Sequence, residues 1–157
     1  MAASRRDVER VERLIRVRGF EEQRKRNEWA VALRVESDAA RELEERRAAV
    51  SAAQQALRDA LAERTLAPVE YLDRQSAIEA ALARVDLAIV RLERVRSERA
   101  VKEGEWREAR RRALSLEKLR ERRLESLREE ASRTERRESD EVALQRHARA
   151  AAGRQAV

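Results

Sequence analysis

Cysteine is absent, proline occurs once and glycine three times in a chain of 157 residues. Without cysteine there can be no disulfide, thiol nucleophile or thiolate-held zinc, and the chain suits a reducing compartment. Aromatic residues make up 3% of the chain. Large apolar side chains are too few and too evenly spread to fill a thick core, so a thin seam between helices is expected. His147 is the single histidine. With no second histidine or cysteine nearby, it reads as an exposed side chain rather than a base or metal ligand. Gly153 and its neighbours do not form the glycine-rich loop that cradles phosphates. The longest strictly aliphatic run is Leu87-Ala88-Ile89-Val90, far too short to span a bilayer. Residues 1–18 are dense in Arg and Glu, unlike a secretory signal. These absences point to a soluble cytoplasmic protein with no cofactor and no enzymatic activity.

Charged residues make up 43% of the chain, 37 of them basic and 31 acidic, for a net charge of +6. The acids interleave with the bases three or four residues apart, as in Glu117/Glu121/Glu125 and Arg107/Arg111. That spacing forms ion pairs on a helix surface. It disfavours nucleic-acid binding, which needs positive charge left unopposed; even Arg110-Arg111-Arg112 follows Glu105 and Glu108. The many carboxylates have arginine neighbours, so none is marked as a tuned acid or base.

Pro68 is the one break in a chain otherwise made of helix formers. Proline lacks the N–H that a helix interior needs but suits the first helical position. Helix one is therefore expected over ~5–64, a turn over ~65–68, helix two over ~69–150 and a frayed tail over ~151–157. At 1.5 Å per residue the arms would be about 90 and about 120 Å long. Ser4 is a candidate N-cap, with Asp7 three residues on.

Each arm carries a seven-residue apolar frame. In the first arm the a positions are Val8, Ile15, Glu22, Trp29, Glu36, Leu43, Val50 and Leu57. The d positions are Val11, Arg18, Lys25, Ala32, Ala39, Arg46, Ala53 and Ala60. In the second arm one stripe is Tyr71, Ile78, Val85, Leu92, Arg99, Trp106, Ala113, Arg120 and Leu127. The other is Gln75, Leu82, Ile89, Arg96, Glu103, Arg110, Glu117 and Leu124. Folding at Ala67–Pro68 sets Val8 against Leu127, Val50 against Val85, Leu57 against Ile78 and Trp29 against Trp106. It also sets Glu36 against Arg99 and Arg18 against Glu117. The expected fold is all-α: a long antiparallel two-helix coiled-coil hairpin, one domain over residues 1–157, with unequal arms and a C-terminal overhang past residue ~130. A folded-back monomer and a four-helix dimer would hide the same stripe. Val17, Phe20, Val31, Leu33, Val35, Leu114, Leu116 and Leu119 lie off the frame, as scattered surface residues or a face for another protein.

Two segments resemble the FliJ/YscO family of flagellar and injectisome export stalks. One is Val8-x-x-Val11-x-x-Leu14-Ile15-x-x-Arg18, followed by Glu21 and Glu22. The other is Leu116-Glu117-Lys118-Leu119-x-Glu121-Arg122, continuing through Glu129-Glu130 and Glu135-Arg136-Arg137 to Asp140-Glu141-Val142-Ala143. The resemblance implies a stalk that engages an export ATPase ring, the cytoplasmic domain of the membrane export gate, and export chaperones. Membrane contact would come only through those partners, at the cytoplasmic face of the inner membrane. By position it implies gate contact at Tyr71, Ile78, Glu79, Ala81 and Leu82. Asp140, Glu141, Val142 and Ala143, on the overhanging end, are candidates for ATPase contact. Pro68, Trp29 and Trp106 are expected to be structural. A flagellar protein is favoured, with an injectisome stalk or a generic coiled-coil scaffold as the alternatives.

Overall fold

A computed structural model describes residues 5–64 and 66–155, with side chains as far as Ala150. The proposed cap Ser4, Thr65 of the turn and the last two residues lie outside the described residues. The fold is all-helical. Two long helices, α1 (Arg5–Ala62, 58 residues) and α2 (Pro68–Gln155, 88 residues), pack against each other as a hairpin. Helix one was expected to end near residue 64 but ends at Ala62; helix two continues to Gln155, beyond the expected end near residue 150.

The turn follows from local chemistry. Arg64 adopts a left-handed conformation with φ 54°. Its N–H donates to the Leu61 carbonyl at 3.2 Å, one of the bonds that close a helix C-terminus. Pro68 is the first residue of α2, where its missing N–H costs nothing. The Glu70 carboxylate accepts the Ala67 N–H at 3.2 Å, half of a capping box.

By internal contacts the chain divides into two compact units, Glu22–Ala109, and Met1–Glu21 with Arg110–Val157. The Glu22–Ala109 unit contains the turn and an aliphatic core. Ala39, Leu43 and Val50 of α1 pack with Val85, Ala88, Leu92 and Val95 of α2, flanked by Ala40, Ala81 and Ile89. In this unit every residue of the expected α1 frame is buried or half-buried, from Glu22 to Ala60. The first α2 stripe also points inward from Ile78 to Trp106.

The second α2 stripe is one residue out. Gln75, Leu82 and Arg96 are exposed, while Ala81, Ala88, Val95, Lys102 and Ala109 are the inward positions. Ile78 to Ala81 is a three-residue step, which makes the Ile78 stripe a-type and the Ala81 stripe d-type. Reversing one helix keeps three-residue steps opposite three-residue steps only when a faces d. The layers therefore slip by about half a heptad from the expected register. By this rule Val50 falls level with Ala81, Leu43 with Ala88 and Ala39 with Leu92, all within one packed cluster. Three interhelical ion pairs fall within a residue of this offset, Glu36–Arg96 at 3.4 Å, Glu28–Lys102 at 3.2 Å and Lys25–Glu105 at 2.7 Å, and Glu42–Arg91 at 2.8 Å lies midway between the two registers. Long side chains still bridge adjacent layers. Arg99 donates to Glu36 at 2.9 Å, and the Trp29 and Trp106 rings stack, as the sequence pairing proposed.

In the other unit, Val8 and Val11 of α1 and Ala113 of α2 are buried, with Ile15, Leu116, Leu124 and Leu127 half-buried. Asp7 pairs with Arg123 across the helices at 3.7 Å. Arg18, expected opposite Glu117, is engaged by Glu21 on its own helix at 2.5 Å. Every α2 residue over 133–150 is exposed, and Arg133 pairs with Glu129 one turn back on the same helix at 3.4 Å.

Candidate docking surfaces

The polar stretch of the seam is built for charge pairing, not catalysis. Lys25 donates to Glu105 at 2.7 Å and to Glu28 at 3.2 Å. Lys102 donates to Glu28 at 3.2 Å and to Glu105 at 3.4 Å. The four residues form a closed square of opposite charges between the helices. Hydrogen bonds from Lys102 and then Lys25 hold the Glu28 carboxyl below its ordinary range, and the bond from Lys25 does most to lower Glu105. Lys25 is raised chiefly by Glu105, and Lys102 by Glu28. Glu42 is lowered chiefly by Arg46, and Arg99 is raised chiefly by Glu36. Each of these shifts deepens the charged state. A general acid or base at neutral pH needs the reverse, a carboxyl pushed up or an amine pushed down. Among the described residues no three His, Cys, Asp or Glu residues gather as a metal site. His147 is exposed.

Next to this square the two indoles stack at 4.7 Å between centroids and 7° between planes. Trp29 Nε1 is buried without a hydrogen-bond partner. The pair fills a stretch of seam that is otherwise charged, and the role this supports is structural.

The candidate partner contacts divide by exposure. Near the turn, Tyr71, Glu79 and Leu82 are exposed. Ile78 is buried and Ala81 half-buried; both belong to the seam and shape the face from beneath. Val69 and Leu72 lie beside them with 69% and 62% of their surface open, and Leu61, in the last turn of α1, is also exposed. Further along α2, Leu87 and Val90 are also exposed, Val90 on the side opposite the seam and Leu87 turned toward one flank. Sequence reasoning did not single out Val69, Leu72, Leu87 or Val90. The signal was present in the run Leu87-Ala88-Ile89-Val90, which a helix must divide between two faces. At the far end, Asp140, Glu141, Val142 and Ala143 are all exposed, as is Leu144. Of the residues lying off the frame, Leu116 is half-buried and the others are exposed.

No described helix is long and apolar enough to cross a membrane. The molecule is thus a helical hairpin whose available chemistry lies in its outward faces and in one solvated helix end. This is the build of an interaction protein. The family model for the flagellar FliJ protein matches residues 7–152, nearly the whole chain, and the chain belongs to that family. Membership makes it a non-catalytic component of the flagellar type III export apparatus. No curated protein and no solved structure matches the chain.

Proposed function

We propose that this protein is the stalk of a flagellar export apparatus, engaging the export ATPase ring and linking it to the cytoplasmic domain of the export gate. The observation that carries this reading is the solvated end of α2. Over residues 133–150 no side chain is buried against the rest of the hairpin. Beyond Ser132, its last half-buried residue, the helix is sustained by propagation without tertiary packing, so a partner surface would stabilise it. Asp140, Glu141, Val142 and Ala143 are assigned to ATPase contact. Val142 and Leu144 supply apolar area, and the two acids supply charge.

The outward residues beside the turn, Tyr71, Glu79 and Leu82, are assigned to the gate, with Ile78 and Ala81 holding that face in place. Tyr71 fits such a role because an aromatic ring offers contact area at low entropic cost. Export chaperones complete the set of partners, and any membrane contact runs through the gate. Expressed with an affinity tag in its flagellated host, the full chain should co-purify with both the export ATPase and the gate. Removal of residues 133–157 should release the ATPase and retain the gate. Recovery of neither partner with the intact chain would refute the reading.

A further inference from the structure

Outside these surfaces, the Glu22–Ala109 unit carries a groove of about 360 Å3 between the two helices. It is lined by Glu42 and Arg46 of α1 and by Arg84, Leu87, Ala88 and Arg91 of α2. The lining holds three guanidiniums and one carboxylate, and two of the guanidiniums bond that carboxylate. Both Glu42 oxygens are engaged, one by Arg46 at 2.6 Å and the other by Arg91 at 2.8 Å. Arg84 has no ion-pair or hydrogen-bond partner among the described residues.

The groove opens onto an unpartnered apolar stripe. Ala80, Ala83, Leu87 and Val90 are all exposed and follow three- and four-residue steps along α2, with Leu87 70% and Val90 63% open. A stripe with those steps matches the side chains of another helix. The charges beside it are divided by sign. Arg84 and Arg91 lie on the groove side, and Glu79, Asp86 and Glu93, all exposed, lie along the other. An anionic bilayer or a nucleic acid would meet the acidic flank and Glu42 as well as the arginines. A helix can carry its carboxylates on one side only. A second copy of this chain is a poorer fit, because the stripe from Ala80 to Val90 covers only about one and a half heptads, too little area for a stable dimer.

We propose that this groove and stripe dock an acidic amphipathic helix of a partner protein. Its apolar side would lie on Leu87, Val90 and Ala83, and its carboxylates would reach Arg84, Arg46 and Arg91. The site goes beyond the assigned gate and ATPase contacts and has its own partner chemistry.

The test uses the full-length chain and two dye-labelled, end-capped helical peptides. One carries Leu and Ala on one stripe with Glu along one flank; the other has Lys in place of each Glu. Fluorescence anisotropy should report saturable binding of the Glu peptide and none of the Lys peptide. Arg84→Glu should weaken the Glu peptide about tenfold, since it reverses a charge-assisted contact, and should allow the Lys peptide to bind. Leu87→Gln should weaken the Glu peptide several-fold. Both side chains are exposed, so circular dichroism should confirm an unchanged fold. Absence of Glu-peptide binding would overturn the proposal. So would equal binding by wild type and both variants, which would mark diffuse attraction to a basic chain. Tighter binding of anionic vesicles, or self-association abolished by Leu87→Gln, would assign the face to a membrane or a second copy and overturn it too.

Discussion

Two valines of α2 provide a controlled test of which residues form the seam. Val95 is 8% exposed and packs in the aliphatic core, whereas Val90 is 63% exposed on the opposite side of the same helix. Changing either to alanine removes the same two methyl groups and gains the same helix propensity, about 0.5 kcal/mol. Burial is what differs. Two methyl groups carry about 1.6 kcal/mol when fully buried, so the difference in burial is worth about 0.9 kcal/mol. A cavity at Val95 adds to this, though a two-helix seam can partly collapse, which brings the expected difference to about 1–1.5 kcal/mol. Val95→Ala should therefore be destabilising by about 1 kcal/mol net, and Val90→Ala should be close to neutral. The assay is urea unfolding followed by helical circular dichroism, with a lower midpoint at unchanged slope for Val95→Ala. Both residues lie in the Glu22–Ala109 unit. Equal effects, or a larger effect at Val90, would refute the inward placement of Val95 and with it the half-heptad offset.

Three further outcomes follow from local features. The stacked indoles should give an exciton-coupled circular dichroism signal that disappears in both Trp29→Phe and Trp106→Phe; its survival in either would deny the stack. The square of Lys25, Glu28, Lys102 and Glu105 has an expected pH window. Its carboxyl pKa values are lowered, so their contribution is present above the unfolded value and lost as pH falls through the folded one. Its lysine values are raised, so their contribution holds below the unfolded value and is lost as pH rises through the folded one. The melting-temperature deficit of Glu28→Gln/Glu105→Gln should be full near neutrality and vanish in acid below the folded carboxyl pKa values; a pH-independent deficit would contradict the pairing. Arg64→Gly should stabilise the chain by about 1 kcal/mol, because glycine adopts the left-handed turn conformation without the side-chain penalty. Destabilisation on chemical unfolding would show that the Arg64 side chain matters more than its backbone.

Much of the hairpin could be read before any coordinates. Pro68 marks a helix start in sequence and in structure, because few positions other than the first helical one accept a residue with no N–H. The α1 frame was most legible near the turn, where Leu43, Val50 and Leu57 recur and outward positions such as Ser51, Gln55 and Arg58 are polar. The second stripe of α2 was misread because Leu82 and Ile89 keep the same seven-residue spacing as Ala81 and Ala88 beside them. Leu82 is larger than Ala81 and looks like the better seam residue, yet it is 43% exposed. The small side chains Ala81 and Ala88 instead let the helices approach. α2 also carries apolar residues on two opposite faces, which blurs any single period. Ile78 and Ala81 were assigned to the gate by position alone, which cannot separate a residue that touches a partner from one that supports the surface. The charged groove at Arg84 depends on α1 and α2 lying side by side, a relation between residues more than 35 positions apart that no local pattern contains.

The central claim, that this hairpin works on the export ATPase, is tested most directly by adding the purified full-length chain to that ATPase and following hydrolysis and ring assembly together. The account predicts a saturable rise in turnover accompanied by a shift toward larger oligomers, both lost when residues 133–157 are removed. Unchanged hydrolysis and assembly at saturating concentrations of the intact chain would contradict it.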